Sequence, residues 1–132
     1  MKNPPTIPDA EWTVMEVLWD NAPLSAGEIH ERLQPRTTWH LKTVHTLLGR
    51  LVKKDVLRRE KVHGIYVFHP QVERAACLRK ASETFLQRYF HANMAPMLAN
   101  YLEIEDVSEE ELETLRRLLD AKCSPERGGD TP

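Results

Sequence analysis

Side chains suited to nucleic-acid binding recur at helical spacing between residues 37 and 54. With about 100° between successive residues, one face of a helix through this stretch carries Trp39, Lys42, Thr43, Thr46, Arg50 and Lys53. The opposite face is aliphatic and carries Val44, Leu47, Leu48 and Leu51. A helix that lies in the major groove of DNA while its back packs on a core needs these two faces. An ordinary solvated face is the alternative, but such faces usually mix Glu with Lys, and residues 37–54 contain no acid.

The chemistry of these side chains suggests a role for each. Arg can pair bidentately with guanine, whereas Lys acts as a point charge, so Lys42, Arg50 and Lys53 are the best candidates for phosphate or guanine contacts. Thr43 and Thr46 are short enough for close approach, and their methyl groups could meet thymine methyls. The sequence therefore predicts a recognition helix over about residues 38–54.

Residues 36–39 are predicted to cap the recognition helix and to add contacts to DNA. Thr37 or Thr38 is predicted to be its N-cap, and Thr38 is included among the DNA-binding residues. Arg36 could reach a backbone phosphate. Trp39 is predicted either to contact the sugar-phosphate backbone or to be a partly buried tryptophan of the domain core, and both interpretations stay open.

Two further helices are predicted ahead of this one. The first has Asp9 as its N-cap, carries apolar residues at helical spacing as far as Trp19, and ends before Pro23. The second opens with Ser25 and Glu28 in the Ser-x-x-Glu pattern of a capping box. Pro35 prevents it from continuing past residue 34.

A β-hairpin is predicted after residue 54. Residues 56–61 and 65–69 are two short runs with β-branched and aromatic side chains, and Gly64 can supply the positive φ of a turn between them. The hairpin tip is basic and is predicted to contact DNA through Arg58, Arg59, Lys61 and His63. Three helices followed by a hairpin indicate a winged helix-turn-helix DNA-binding domain over residues 1–71. A small α+β domain with no ligand is the alternative, but it leaves the shared charge of helix and hairpin unexplained.

The C-terminal residues are predicted to form a helical dimerisation region at 72–123, followed by a disordered tail at 124–132. Three short helices bury little apolar surface alone, so their apolar residues imply an identical partner subunit, unless the helices fold back on the first domain. Ser108 and Glu111 form a second capping-box pattern. The predicted dimerisation residues are Phe85, Leu86, Tyr89, Leu98, Leu102, Leu112, Leu115 and Leu119. The predicted fold class is thus mainly α, with a small β-hairpin wing.

The charge distribution supports this division of the 132-residue chain. The net charge of −2 hides a basic segment, because residues 36–61 carry a net +6 and residues 76–132 a net −4. A polyanion site is expected on the first segment and another role on the second. No apolar run approaches the roughly 20 residues of a membrane span. The first residues lack the apolar core of a signal peptide, so a cytoplasmic protein without membrane insertion is predicted.

The sequence gives little support for other chemistry. His40 and His45 are not at a helical chelating spacing of three or four, and no Cys-x-x-Cys occurs, so no metal site is predicted. Cys77 and Cys123 are predicted to be reduced thiols, with Cys77 a packing residue. No Gly-rich phosphate loop or nucleophile motif is present, so neither an enzyme nor a cofactor is predicted. The remaining alternative is a winged-helix adaptor that binds protein rather than a specific DNA sequence.

These stretches resemble the BlaI/MecI penicillinase-repressor family of transcriptional regulators. The central motif is Thr38-Trp39-x-x-Lys42-Thr43-Val44-x-Thr46-Leu47-Leu48-x-Arg50-Leu51-Val52-Lys53-Lys54. Residues 7–19, 61–68, 82–86 and 108–115 also match, so the resemblance covers about residues 7–122. It implies a homodimeric repressor of palindromic operators, often with TACA/TGTA half-sites, whose third helix enters the major groove and whose C-terminal helices exchange between subunits.

The resemblance also implies a form of regulation. Some members are inactivated by proteolysis in the C-terminal region, triggered by a membrane sensor that detects a β-lactam. The scissile Asn-Phe bond of that family corresponds here to Asn100-Tyr101. Three departures concern the DNA-binding region. Asp55 stands where the family usually has Gly, Gly49 sits inside the recognition helix and could permit close packing, and Leu41 and His45 differ from the best-known members, so operator preference need not transfer.

Overall fold

The computed structural model describes residues 3–104 and 106–123 of the chain. Its elements in chain order are α1 (Asp9–Asn21), β1 (Leu24–Ser25), α2 (Ala26–Leu33), α3 (Leu41–Lys53), β2 (Leu57–Val62), β3 (Ile65–Pro70), α4 (Arg74–Phe90), α5 (Met94–Ile104) and α6 (Glu109–Lys122). This order confirms a mainly α fold with a small β-sheet. No helix in the described part of the chain is both long and apolar enough to cross a membrane.

The caps of the first two helices match the prediction only in part. Pro8, and not the predicted Asp9, is the N-cap of α1, and its carbonyl oxygen accepts from the Trp12 N–H at 2.8 Å. The capping box of α2 is confirmed, since the Glu28 N–H donates to Ser25 Oγ at 3.2 Å and the Ser25 N–H donates to Glu28 Oε1 at 2.9 Å. The backbone and side-chain hydrogen bonds with Ser25 lower the pKa of the Glu28 carboxyl.

Helix α3 begins later than predicted. Its N-cap is His40, so the prediction of Thr37 or Thr38 at this position is wrong. The physical reason is that the Thr37 hydroxyl serves the preceding turn: it donates to the Leu33 carbonyl at 3.3 Å and accepts from the Trp39 N–H at 3.4 Å. Residues 34–40 therefore form a connection between α2 and α3 rather than the first turn of α3.

Asp55 ends α3 in a left-handed conformation, with φ of 63°. The Val56 N–H donates to the Leu51 carbonyl at 2.9 Å and the Asp55 N–H to the Val52 carbonyl at 3.0 Å, which are the two bonds of a Schellman motif. Leu51 and Val56 are both buried, so the apolar contact that accompanies this motif is available. The Gly that the family resemblance implies at this position would fit it, because glycine adopts positive φ at little cost.

The sheet contains three antiparallel strands in the order β1-β3-β2, one more than the predicted hairpin. Leu24 pairs with Phe68 and Ser25 with Val67, but a two-residue strand is too short to show alternation in the sequence. The hairpin turn is His63-Gly64, with φ of 50° and 82°. Positive φ at both central residues is the requirement of a type I′ turn, which matches the twist of the flanking strands.

The core lies between α1, α2, α3 and the sheet. Its fully buried side chains include Met15, Leu18, Ile29, Leu33, Val44, Leu48, Leu51, Val56 and Leu57. The apolar face predicted for the third helix is confirmed, since Val44, Leu47, Leu48 and Leu51 are all buried. Cys77 is also buried, and that burial raises the pKa of its thiol, as expected for a packing residue.

The described chain divides into two compact units, up to residue 89 and from residue 90 onwards. The predicted division at residue 71 concerns function and stays a prediction. In the second unit, Ser108 caps α6 by accepting from the Glu111 N–H at 3.1 Å, which is one half of the predicted capping box. The tail predicted at 124–132 lies outside the described residues.

Candidate nucleic-acid interface

Helix α3 presents the predicted polar face to solvent. Lys42, Thr46, Arg50 and Lys53 are exposed and Thr43 is half-buried, while the aliphatic residues on the other side pack into the core. No acid occurs anywhere in α3. The four-residue and three-residue spacings therefore produce a continuous exposed strip whose formal charges are all positive, which is suited to a polyanion.

Thr46 offers this strip an apolar rather than a donor group. Its hydroxyl donates to the Lys42 carbonyl at 3.1 Å, four residues earlier in the same helix. The hydroxyl hydrogen is thus used in a hydrogen bond within the helix, and the methyl group remains for apolar contact. This geometry suits contact with an apolar group such as a thymine methyl.

Two of the predicted DNA-binding residues in the α2–α3 connection, Trp39 and Arg36, contact other parts of the domain, unlike the exposed cations of α3. Trp39 precedes α3 and is half-buried against the core, which corresponds to the second of its two predicted environments. Its carbonyl oxygen lies 2.9 Å from His30 Nε2 on α2. Thr38 is exposed, and the Arg36 guanidinium donates to Glu16 Oε1 on α1 at 3.1 Å. Arg36 is thus exposed but paired within the domain.

The two faces of the hairpin divide the predicted wing residues. Strand register places Arg59 and Lys61 on the same face as the buried Phe68, with Tyr66 between them. The Arg59 guanidinium lies 4.7 Å and Lys61 Nζ 5.7 Å from the centroid of the Tyr66 ring. Tyr66 was missed by the sequence analysis, although counting in twos from Phe68 would have placed it on this face.

Arg58 lies on the opposite face of the sheet from Lys61. Its cross-strand partner is His69, whose Nε2 is 2.8 Å from Glu60 Oε1 on the same face. The exposed His63 occupies the turn itself. The predicted wing set is therefore not one surface: Lys61 and Arg59 share the face of the core-directed Phe68, and Arg58 does not.

A cleft of about 290 Å³ is lined by residues of α3 and of the hairpin. Its polar lining residues are His45, Lys53 and Arg59, and Gly49 also lines it. A methyl group built on Gly49 meets no described atom within 4 Å, so the suggestion that this glycine permits close packing is wrong for the described protein. An adjoining cleft of about 410 Å³ shares His45 and Arg59 and reaches the start of α2.

Lys54 does not belong to the cationic strip. Its ammonium group pairs with the carboxylate of Glu11, whose side chain is almost wholly buried. The ion pair joins α1 to the end of α3. Lys54 contributes to the net charge of the basic segment 36–61, and no local pattern in the sequence marks Glu11 as its partner.

The predicted dimerisation residues are incompletely covered within the described chain. Phe85 and Tyr89 on α4 are exposed, with ring centroids 5.3 Å apart, and Leu86 is half-buried. In the second unit, Leu102, Leu112 and Leu119 are exposed, whereas Leu98 and Leu115 are half-buried. Asn100 and Tyr101, the predicted cleavage position, are both exposed and lie inside α5.

Comparison with known proteins identifies the family. The family model described as penicillinase repressor matches residues 7–121. The penicillinase repressor of Bacillus licheniformis is 33% identical over 120 residues, which are 91% of this chain and 94% of that protein. The methicillin resistance regulatory protein MecI of Staphylococcus aureus strain N315 is 34% identical over 116 residues, or 88% and 94% of the two chains.

A solved structure supports the assignment at the level of the fold. The solution structure of the DNA binding domain of the repressor BlaI matches with a TM-score of 0.51 and 36% identity, over 58% of this chain and 93% of that one. The three helices and the sheet described above thus form a winged helix. Because the family model spans nearly all of the described residues and a third of the positions are identical to these repressors, the chain belongs to the penicillinase repressor family.

Proposed function

We propose that this chain is a DNA-binding transcriptional repressor that recognises palindromic operators as a homodimer. The exposed, acid-free face of α3 carries the proposal, because Lys42, Arg50 and Lys53 stand on one side of a helix whose other side is fixed in the core. Helix α3 lies in the major groove in this proposal. The proposed DNA contacts are those of the sequence analysis: Arg36, Thr38, Trp39, Lys42, Thr43, Thr46, Arg50, Lys53, Arg58, Arg59, Lys61 and His63.

We rank these proposed contacts by their exposure and by their partners within the domain. The exposed residues of α3 are the primary candidates for contact with base edges and the phosphates beside them. Lys61 and Arg59 are the favoured wing contacts, because both cations lie on one face of the hairpin around Tyr66. Arg36 contacts DNA in this proposal only after it leaves Glu16. That exchange costs little, because an exposed ion pair of this kind is worth less than about 1 kcal/mol.

A gel-shift titration at two salt concentrations tests DNA binding. The probe is the palindromic duplex recovered by selection from a random DNA library, beside duplexes with TACA/TGTA half-sites. Lys42→Ala combined with Arg50→Ala should weaken binding by at least tenfold. It should also make the affinity less dependent on salt, because a protein with fewer phosphate contacts releases fewer counterions from the DNA when it binds. Arg79→Ala combined with Lys80→Ala removes the same charge from exposed positions of α4 and serves as the control.

Two outcomes would contradict the proposal: the wild type binds none of these duplexes at low salt, or the α3 variant binds as tightly as the α4 control. Either result would favour the alternative of a winged-helix adaptor that binds protein. The titration separates the two functions because an adaptor has no reason to depend on Lys42 and Arg50 for duplex binding.

The homodimer is proposed from the apolar side chains that the single chain leaves uncovered. Large apolar residues on α4, α5 and α6 are exposed, including Tyr89 on α4, Tyr101 on α5 and Leu118 on α6. A monomeric protein seldom leaves so many large apolar groups in water. An identical subunit is the simplest partner, and it would supply the second recognition helix that a palindrome requires.

Regulation by proteolysis is proposed at Asn100-Tyr101. The bond is exposed, but it lies within α5, so a protease must first unwind that part of the helix. The proposed signal is a β-lactam or cell-wall stress relayed by a membrane sensor protease, in keeping with relatives that are named as penicillinase and methicillin-resistance regulators. Mass spectrometry of the protein after β-lactam exposure of its host tests it: an intact chain during induction would contradict this mechanism.

A further inference from the structure

Arg74, the first residue of α4, and Val72, two residues before the helix, are attached to α1 by contacts of three kinds. The Trp19 indole N–H donates to the Val72 carbonyl at 3.0 Å. The Arg74 guanidinium donates to Asp20 Oδ1 at 3.1 Å and to the Glu16 carbonyl at 3.4 Å. It also lies 5.4 Å from the centroid of the Trp19 ring, within the range of a cation–π interaction.

We propose that Trp19 and Arg74 form a clamp that fixes the direction of α4, and that this clamp determines which half-site spacing a dimer of the chain accepts. The inference rests on the proposed function, since only a dimeric operator-binding protein has a half-site spacing to determine. Trp19 and Arg74 are positioning residues here: neither is placed at the DNA or at the subunit interface.

Helix α4 connects the clamp to apolar side chains proposed for the interface. The helix runs without a break from Arg74 to Phe90. Leu78, Phe85 and Tyr89 follow on it at spacings of seven and four, which puts them on one face, and each is 49–61% exposed. Because Trp19 belongs to the same packed domain as α3, the clamp relates this face of α4 to the recognition helix.

Because α4 is long, a small change in its tilt at the clamp moves its far end by a large distance. Seventeen residues at about 1.5 Å each span about 25 Å, so a tilt of about 10° at the clamp moves the far end by about 4 Å. One base pair advances the DNA by about 3.4 Å along the axis. A loosened clamp should therefore reduce the difference in affinity between operators whose half-site spacings differ by a single base pair.

The clamp affects the orientation of α4 more than the free energy of folding. Arg74 and Asp20 are 43% and 61% exposed in their side chains, and exposed pairs of this kind add little to the free energy of folding. Removing the guanidinium should thus leave the domain folded while α4 gains angular freedom. Trp19 is half-buried and also packs edge-on against Trp12 at 5.3 Å between centroids, so the conservative replacement at this position is Phe.

The experiment measures dissociation constants of the full chain for a series of duplexes. Each duplex carries the palindrome selected by the wild type, with its half-sites at the selected spacing or moved by one or two base pairs, and one duplex carries a single half-site. The variants are Arg74→Ala, Trp19→Phe and the pair combined, with Arg79→Ala as a matched exposed arginine of α4. Sedimentation confirms the oligomeric state, and circular dichroism the fold, of every variant.

We expect Arg74→Ala and the double variant to bind the single half-site within about twofold of the wild type. Their preference for the selected spacing over spacings one base pair away should fall by at least threefold, while Arg79→Ala retains it. A folded, dimeric Arg74→Ala that keeps the full spacing preference overturns the clamp. Equal losses on the single half-site and on every spacing also overturn it, because they indicate a structural role only.

The proposed function has a separate readout in the same series. A wild type that binds neither the palindrome nor the half-site, or that sediments as a monomer, overturns the proposed dimeric operator binding and the clamp with it. A wild type that binds as a dimer with no dependence on spacing overturns the clamp alone.

Discussion

Glu11 and Lys54 form an ion pair that joins the first turn of α1 to the end of α3, with the Glu11 side chain almost wholly buried. A buried carboxylate without a partner is costly, so this pair restrains the position of α3 in the domain. It also distinguishes two adjacent lysines: Lys53 is exposed, whereas Lys54 is paired with Glu11 inside the domain.

Lys54→Ala should lower the free energy of unfolding by about 2 kcal/mol, less than a fully buried pair costs because Lys54 is partly exposed. The measurement is chemical denaturation monitored by tryptophan fluorescence. Lys53→Ala is the control and should change stability by less than about 0.5 kcal/mol. Adding Glu11→Leu to Lys54→Ala should recover part of the loss; equal stability of the Lys53 and Lys54 variants would contradict the structural role of the pair.

Asp55 supplies a second test of how α3 ends. Its φ of 63° is strained for any residue with a Cβ, although Asp tolerates it better than most. We expect Asp55→Gly to be more stable than Asp55→Ala by about 1 kcal/mol in urea denaturation. Both variants lose the same carboxylate, so their difference isolates the backbone. Indistinguishable variants would argue against a left-handed residue at this position.

Gly49 and Gly64 should respond oppositely to the same substitution. Gly49→Ala should raise the free energy of unfolding by about 1 kcal/mol, because alanine favours the helix and its methyl group meets no described atom within 4 Å. Gly64→Ala should lower it by about 1 kcal/mol, because φ is +82° in the turn. Parallel thermal melts of the two variants measure the signs. A destabilising Gly49→Ala would mean that space beside α3 is occupied.

Leu112→Asp combined with Leu115→Asp should convert the proposed dimer into a monomer and weaken operator binding. Two carboxylates placed in an apolar interface cannot be solvated there, so association loses its main driving force. Sedimentation equilibrium measures the mass and a gel shift the affinity. Thr114→Asp, on an exposed position of α6 between them, is the control. A dimer that persists unchanged in the double variant would place the interface on other residues.

The elements with strong periodicity were predictable, and their boundaries were less so. The spacing of the aliphatic residues in α3 predicted its buried face correctly, because the apolar side of this helix is the side that packs into the core. The start of that helix was misplaced because Thr37 and Thr38 are good cap residues in isolation, while in the folded chain Thr37 bonds to the end of α2 instead. Strand β1 was missed because two residues carry no pattern.

The amino-acid sequence by itself determined a winged-helix class, an acid-free cationic face on the third helix and membership of a repressor family, because these depend on residue types repeated at fixed spacing. Only the tertiary structure decided which cations remain available. It paired Lys54 with Glu11 and Arg36 with Glu16, and it put Arg58 and Lys61 on opposite faces of the hairpin. Such partners lie up to 43 residues apart in sequence, and no local pattern records a contact that forms only when separate elements pack together.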